Sequence, residues 1–290
     1  MLKMSSSINR IYVSTSSFYK YKLHKIVKIL SSKKIYNLEL SASLYNKNQL
    51  KELLKFKNKN VNFIFHNYFL PPKKEFIINL SSNDKFIIQR SINHIKKLIK
   101  LANIFNIKFV SFHAGFRFDP NHKSIGKIFK KQNLHSEKKA LEIFFKSVKA
   151  LSKYAKKFNI NLLIENNVIT KKNFEIFKEN PLLFCCPEKI KKILEKMPNN
   201  VGLLLDVGHF KISSKTLNFN LLKGYRKIRK YIKGYHLNDN DGISDKNFPF
   251  TKKSWFVGIL KENLNYYSIE VNKKFKNYYP NLINITKKNI

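Results

Sequence analysis

Short, almost continuously apolar and β-rich runs recur along the chain at Ile11–Thr15, Tyr36–Ser41, Val61–His66, Lys108–His113, Asn161–Glu165, Gly202–Asp206, Gly234–Leu237 and Tyr267–Val271. Between them apolar residues return with a period near that of the α-helix, as in Phe86, Ile87, Ser91, Ile95, Leu98, Ile99, Ala102 and Phe105, or Ala140, Phe144, Val148, Leu151 and Tyr154. Buried strands alternating with helices are the pattern of a parallel sheet, and eight repeats that close on themselves predict an α/β chain folded as a single (β/α)8 barrel. A doubly wound open sheet is the alternative. The eight glycines are scattered, with no GxGxxG or GxxxxGK loop to cradle a phosphate, so the barrel is favoured.

Two inserts, Asn67–Asn83 and Phe116–His135, lengthen the connections after the third and fourth strands, and a polar stretch, Asn238–Lys253, follows the seventh. In a barrel these connections share the C-terminal face, where ligand chemistry sits. No linker or repeat beyond the βα unit divides the chain, which reads as one domain over residues 1–290 with a core over about residues 10–272.

Composition adds a puzzle. The formal charge is +39, from 57 Lys and Arg against 18 Asp and Glu, which invites a nucleic-acid partner. Yet only Arg10, Arg90, Arg117, Arg226 and Arg229 are arginines, and Lys, Asn, Ile, Phe and Tyr, the residues of A/T-rich codons, are all abundant. A surface selected for phosphate forks and base edges would concentrate Arg, so compositional drift explains the charge better. At 43% hydrophobic residues the bulk of the chain is not a disordered polycation. Cys185 and Cys186 are adjacent, without metal-site spacing, and suit a reducing compartment. Met1–Arg10 lacks an apolar signal core, and no run reaches the ~20 apolar residues of a membrane span. A soluble, cytoplasmic protein is expected, and a homo-oligomer is compatible with the sequence.

The strand ends carry the chemistry. The third ends in His66, the fourth in His113, the fifth in Glu165, the sixth in Asp206, the seventh in His236 and the eighth in Glu270. Any one of them could be an ordinary hydrogen-bonded or helix-capping residue. Six carboxylates and imidazoles converging on an apolar barrel mouth would be strongly unfavourable without a cation. Glu165, Asp206, His236 and Glu270 together offer three oxygens and one nitrogen, suited to one divalent metal ion such as Mn, Mg, Co or Zn.

The motifs Ser111-Phe112-His113-Ala114-Gly115-Phe116, Leu163-Ile164-Glu165-Asn166-Asn167, Leu205-Asp206-Val207-Gly208-His209 and His236-Leu237-Asn238-Asp239-Asn240-Asp241-Gly242 resemble the xylose isomerase-like TIM barrel superfamily, specifically its sugar phosphate isomerases and epimerases. The resemblance implies that Glu165, Asp206, His236 and Glu270 hold one metal, that Glu165 and Glu270 double as catalytic acid and base, and that His209, His66 and His113 contact the substrate. The implied reaction is isomerisation or epimerisation of a sugar or sugar phosphate by proton abstraction and return through a metal-bound enediolate. The superfamily also contains endonuclease IV-like zinc phosphodiesterases acting on abasic-site DNA, and that relationship implies a second metal position using His66, His113, His209 and Asp245. There the sequence departs: Asn247 stands where that branch has a final His, and a neutral amide is a poor zinc ligand. A catalytically dead metal-binding barrel serving as an assembly partner is a third reading, against which the full ligand set argues.

Other candidates stay open in the sequence. Glu39, at the end of the second strand, could bind a sugar hydroxyl or form a structural salt bridge, and Arg117 could clamp a phosphate or carboxylate or lie on the surface. Trp255 could stack on a sugar ring or pack as core. Asn166 and Asn167 could hydrogen-bond a polyol or cap their loop. The Asn67–Pro72 segment could be a lid or a rigid proline turn.

Overall fold

The computed structural model describes residues 10–290 except Ala42, Ser43, Asn58 and Ile125, so the Met1–Arg10 stretch, apart from its last residue, lies outside the described residues. Eight parallel strands, β1 (Ile11–Ser14), β2 (Asn37–Leu40), β3 (Asn62–His66), β4 (Phe109–His113), β5 (Asn161–Glu165), β6 (Val201–Asp206), β7 (Ile232–Leu237) and β8 (Tyr267–Ile269), pair in sequence order. The register of β8 against β1, Ile11 opposite Tyr267 through Val13 opposite Ile269, closes the barrel. Runs such as Leu162-Leu163-Ile164 and Leu203-Leu204-Leu205 are completely buried because one face of each strand fills the barrel and the other meets the helices.

Helices α1 (Leu23–Ser31), α2 (Gln49–Leu54), α3 (Lys85–Ile104) and α4 (Glu137–Lys156) follow β1 to β4. Two helices follow β5, α5 (Lys171–Phe177) and α6 (Pro187–Leu194), and two follow β6, α7 (Val207–Thr216) and α8 (Leu221–Ile228); α9 (Tyr279–Lys287) follows β8. The periodic stripes do face the barrel: Ile95, Leu98, Ile99 and Ala102 of α3 and Ala140, Phe144, Val148 and Leu151 of α4 are buried. Phe86 differs, being 71% exposed. It sits in the first turn, where the capping carboxylate of Asp84 accepts the Phe86 N–H at 2.7 Å, before the stripe reaches the sheet.

The alternation breaks once. Residues 238–266, between β7 and β8, form no helix among those described. Gly242, Asn247, Gly258 and Asn263 adopt positive φ there, and Pro249 interrupts the stretch, so a continuous helix cannot form. Phe250, Phe256 and Leu260 anchor this loop in the core.

The two long inserts contribute to a small second core above the barrel, where Ile77, Phe116, Phe118 and Phe129 pack with Ile169, Phe177, Leu182 and Cys185. Loops after β3, β4 and β5 thus support one another around the mouth. The Asn67–Pro72 segment is tethered to its surroundings: the Ile78 N–H donates to the Tyr68 hydroxyl at 2.7 Å, and His94 Nε2 of α3 lies 3.2 Å from the Asn67 carbonyl. No helix among the described residues is long and apolar enough to cross a membrane.

Candidate metal centre

Strand alternation aims His66, Glu165 and Asp206, which end β3, β5 and β6, and His236, the penultimate residue of β7, into the barrel mouth, and Glu270 follows β8 directly. Ligand atoms of Glu165, Asp206, His236 and Glu270 all lie within 4.8 Å of one another. His236 Nδ1 is the meeting point, 3.2 Å from Glu165 Oε1 and 3.1 Å from Glu270 Oε2. On the far side of Glu165, its Oε2 lies 3.3 Å from His66 Nε2 and 3.5 Å from His113 Nδ1, and these three residues form a second compact group.

The surroundings fix these groups. Asp206 caps α7, its Oδ1 accepting the His209 N–H at 2.7 Å, while Oδ2 accepts from Asn238 Nδ2 at 2.8 Å. Gly208 permits that second bond. A Cβ there would fall 1.8 Å from Asn238 Oδ1 and 2.5 Å from Asn240 Nδ2, so only glycine lets the start of α7 lie against the β7 loop. His209 Nδ1 lies 3.1 Å from the Asn166 carbonyl and 3.5 Å from Glu165 Oε1, and its Nε2 faces Asp245 Oδ2 at 3.3 Å.

Electrostatics follow from putting these groups out of water. Burial raises the Asp206 carboxyl to about 7 despite the neighbouring His209. Burial would also raise Glu165, but the imidazoles of His113, His236 and His66 hold it well below the usual carboxylate range. His236 is driven well above the usual imidazole value, burial being outweighed by Glu39, Glu165 and Glu270, and His209 likewise by Asp206, Asp245 and Glu165. Protonated imidazoles therefore compensate the buried carboxylates in this arrangement, and a divalent cation would supply the same compensation. Glu165 Oε2 and His113 Nδ1 are buried without a hydrogen-bond partner, as groups reserved for a cation or ligand would be. The donor set fits one divalent ion at Glu165, Asp206, His236 and Glu270, and the orphaned atoms belong to the adjoining group of His66, His113 and Glu165.

The sequence pattern of the xylose isomerase-like TIM barrel matches residues 34–270. The chain belongs to that family. No curated protein sequence matches the chain significantly. Among solved structures, a D-tagatose 3-epimerase-like protein superposes with a TM-score of 0.66 at 17% identity over 96% of this chain and 98% of its own. D-psicose 3-epimerase from Clostridium cellulolyticum H10, determined with D-tagatose, gives 0.64 at 15% identity over 96% of each chain. The IOLI protein, with a bound zinc atom, gives 0.65 at 14% identity over 97% of this chain and 96% of its own. At such identities the likeness is one of fold.

Within this family barrel, the remaining sequence candidates separate. Glu39 joins the cluster from below, fully buried, its Oε2 2.8 Å from His236 Nε2. Asn166 is committed to the backbone of Asp206, and Asn167 donates to the carbonyls of Ala114, Gly115 and Leu183. Arg117 is buried and turns Nε and Nη1 to the carbonyls of His135 and Asn180 and to Glu179, which ties two loops together. Trp255 packs against Phe210, Tyr225 and Phe256, with its indole N–H donating to the Val207 carbonyl at 3.3 Å. Asp245 pairs with His209 and joins no three-ligand group among the described residues.

Three neighbours escaped the sequence reading. Asn238, Ser111 and Tyr266 touch the cluster's carboxylates or imidazoles. Asn238 stands two residues after His236 and Ser111 two before His113, so the two-residue period of a strand was a signal for both. Tyr266, next to a second tyrosine at the start of β8, gave none.

Proposed function

We propose that this protein is a divalent-metal-dependent isomerase or epimerase of a sugar or sugar phosphate. The observation that carries this reading is the placement of Glu165 and Glu270 on either side of one imidazole nitrogen, His236 Nδ1, at 3.2 and 3.1 Å, with Asp206 completing the group. When bound there, a metal ion acidifies a C–H bond beside a substrate carbonyl. One of the two glutamates removes that proton, the C–H electron pair moving into an enediolate, and the other returns a proton. Return to the opposite face of the same carbon inverts it, whereas return to the neighbouring carbon interconverts aldose and ketose. His66, His113 and His209 lie around Glu165, and in this reading they hold substrate oxygens. The excess of lysine favours an anionic substrate, and two free cysteines suit a reducing compartment such as the cytoplasm.

Solvent deuterium exchange into ketoses and ketose phosphates, with the protein loaded in turn with Mn, Mg, Co or Zn, tests the reading. Exchange that requires metal and disappears in Glu165→Gln and Glu270→Gln supports it. Full exchange by Glu270→Gln would show the two-carboxylate mechanism to be wrong.

A second reading, a zinc phosphodiesterase acting on abasic-site DNA, is favoured by the compact His66, His113 and Glu165 group, which fits a second ion. Against it stands Asn247, whose neutral amide is a poor zinc ligand where that branch has a His. Incision of abasic-site duplex at physiological salt is its assay, because low-salt binding by so basic a chain carries no specificity.

A further inference from the structure

A hydrogen-bonded chain runs beneath the cluster between His66 and His236, and its inner members, Ser111, Tyr266 and Glu39, have none of the roles above. His66 Nδ1 lies 2.9 Å from Ser111 Oγ, which lies 2.8 Å from the Tyr266 hydroxyl; that hydroxyl donates to Glu39 Oε2, and the same oxygen lies 2.8 Å from His236 Nε2. Glu39, Ser111 and His236 are completely buried, and so is Tyr266. Glu39 comes from β2 and His236 from β7, almost across the barrel. A carboxylate this far from solvent costs several kcal/mol unless something in the fold requires it, and a salt bridge built only for stability has no need to meet the nitrogen of His236 that faces away from Glu165 and Glu270.

An imidazole can offer a lone pair from one nitrogen only if its proton sits on the other. Here the two nitrogens face different partners: Nε2 meets only an acceptor, Glu39, while Nδ1 faces Glu165 and Glu270. We infer that Glu39 is a positioning residue: together with Tyr266 it holds His236 as the Nε2–H tautomer and so presents Nδ1 to a divalent ion. Through Ser111 the same chain orients His66, whose other nitrogen faces Glu165 Oε2 at 3.3 Å. A carboxylate partner also makes the ligand nitrogen more basic than a carbonyl partner would. The inference rests on the reading of the cluster as a metal centre.

Zinc titration of the metal-free full-length protein, in competition with a chromophoric chelator, tests it without reference to catalysis. Wild type is expected to bind zinc, and Glu39→Ala to bind it about 10- to 100-fold more weakly, the range found when the outer partner of a metal-bound histidine is lost. Glu39→Gln, whose amide oxygen still accepts the Nε2 proton without a charge, should fall between them, and Tyr266→Phe should weaken binding a few-fold. Long-range 1H–15N spectra of the zinc-loaded wild type should show the His236 proton on Nε2. Circular dichroism of each apo variant confirms folding, and if Glu39→Ala does not fold, Glu39→Gln and Tyr266→Phe decide. Folded Glu39 variants that bind zinc as tightly as wild type, or a His236 proton on Nδ1, would overturn this inference alone. Wild type that binds no zinc, or Asp206→Asn that binds it undiminished, would overturn the metal-centre reading as well.

Discussion

The carboxamide of Asn166 grips the backbone of Asp206 at both polar atoms, donating to its carbonyl at 3.1 Å and accepting its N–H at 2.8 Å. The end of β5 is thereby bolted to the end of β6, one residue beyond Glu165, and two ligands of the proposed centre are held in a fixed relation. Asn166→Ala leaves a buried donor and a buried acceptor unpaired, each costing about 1–3 kcal/mol. Chemical denaturation of the apo variant should show a loss of about 3 kcal/mol, and zinc affinity should fall along with it. Unchanged stability would show that water replaces the amide.

Gly208→Ala should be among the most damaging small substitutions in the barrel. The added methyl carbon would fall 1.8 Å from Asn238 Oδ1, and Asn238 is completely buried, so it has nowhere to swing. Its bond to Asp206 Oδ2 would be lost and the start of α7 displaced. A loss of about 2–3 kcal/mol, in the range of overpacking a dense core, and weaker metal binding are expected from thermal denaturation and zinc titration. Gly126→Ala, where a methyl would meet nothing within 4 Å, is the matched control for adding a carbon in open space, although its positive φ adds a small strain of its own.

Removing metal should destabilise the protein without unfolding it, because the apolar barrel core does not depend on the cluster. A ligand present at 100 times its dissociation constant contributes about 2.7 kcal/mol. For a chain of this size that corresponds to a drop of about 5 °C in Tm after chelation, restored by adding back zinc or manganese. An Asp206→Asn variant should show no such difference between chelated and metal-supplemented samples.

His94 predicts an acid sensitivity separate from the cluster. Burial pushes its imidazole down to about 4, assisted by Lys97 and Arg90 and opposed by its contact with the Asn67 carbonyl. Because the folded value lies below the unfolded one of about 6.5, its neutral form favours folding above that pH, and the benefit declines as pH falls from about 6.5 toward 4. Between pH 7 and 5 the loss from this residue is about 2 kcal/mol. Comparison of denaturation midpoints at the two pH values should show a smaller drop for His94→Asn than for wild type. Equal drops would mean that His94 protonates without strain in the fold.

Arg117 should matter to the loops and not to substrate recognition. Its guanidinium reaches Glu179 and the carbonyls of His135 and Asn180 from one planar fork, a geometry that lysine cannot reproduce. Arg117→Lys should therefore increase proteolysis between residues 116 and 135 as much as Arg117→Ala does, while leaving zinc affinity within about twofold.

Much of this architecture was legible because its signals are local. Buried parallel strands write themselves as short apolar runs, and a residue at a strand's end, such as Asp206 or His236, is conspicuous because a polar side chain breaks the run. The pairing of Glu39 with His236 was not legible: 197 residues separate them, and only closure of the barrel brings β2 within reach of β7. The sequence left Arg117 open between a ligand clamp and a surface residue for a similar reason, since Glu179 and the two carbonyls that bury it lie on another loop and on the far side of its own insert. The missing helix between β7 and β8 was foreshadowed by Gly242, Pro249 and Gly258, whose cost to a helix outweighs the apolar residues around Trp255.

The buried chain His66, Ser111, Tyr266, Glu39 and His236 draws its members from β3, β4, the start of β8, β2 and β7. Ser111, Tyr266 and Glu39 pass a hydrogen bond from strand to strand, so exchanging one of them leaves its neighbours on other strands short of a partner. A change at one link is therefore felt on strands that it does not belong to. A variant weakened by losing one link should recover zinc affinity through a compensating change on a different strand.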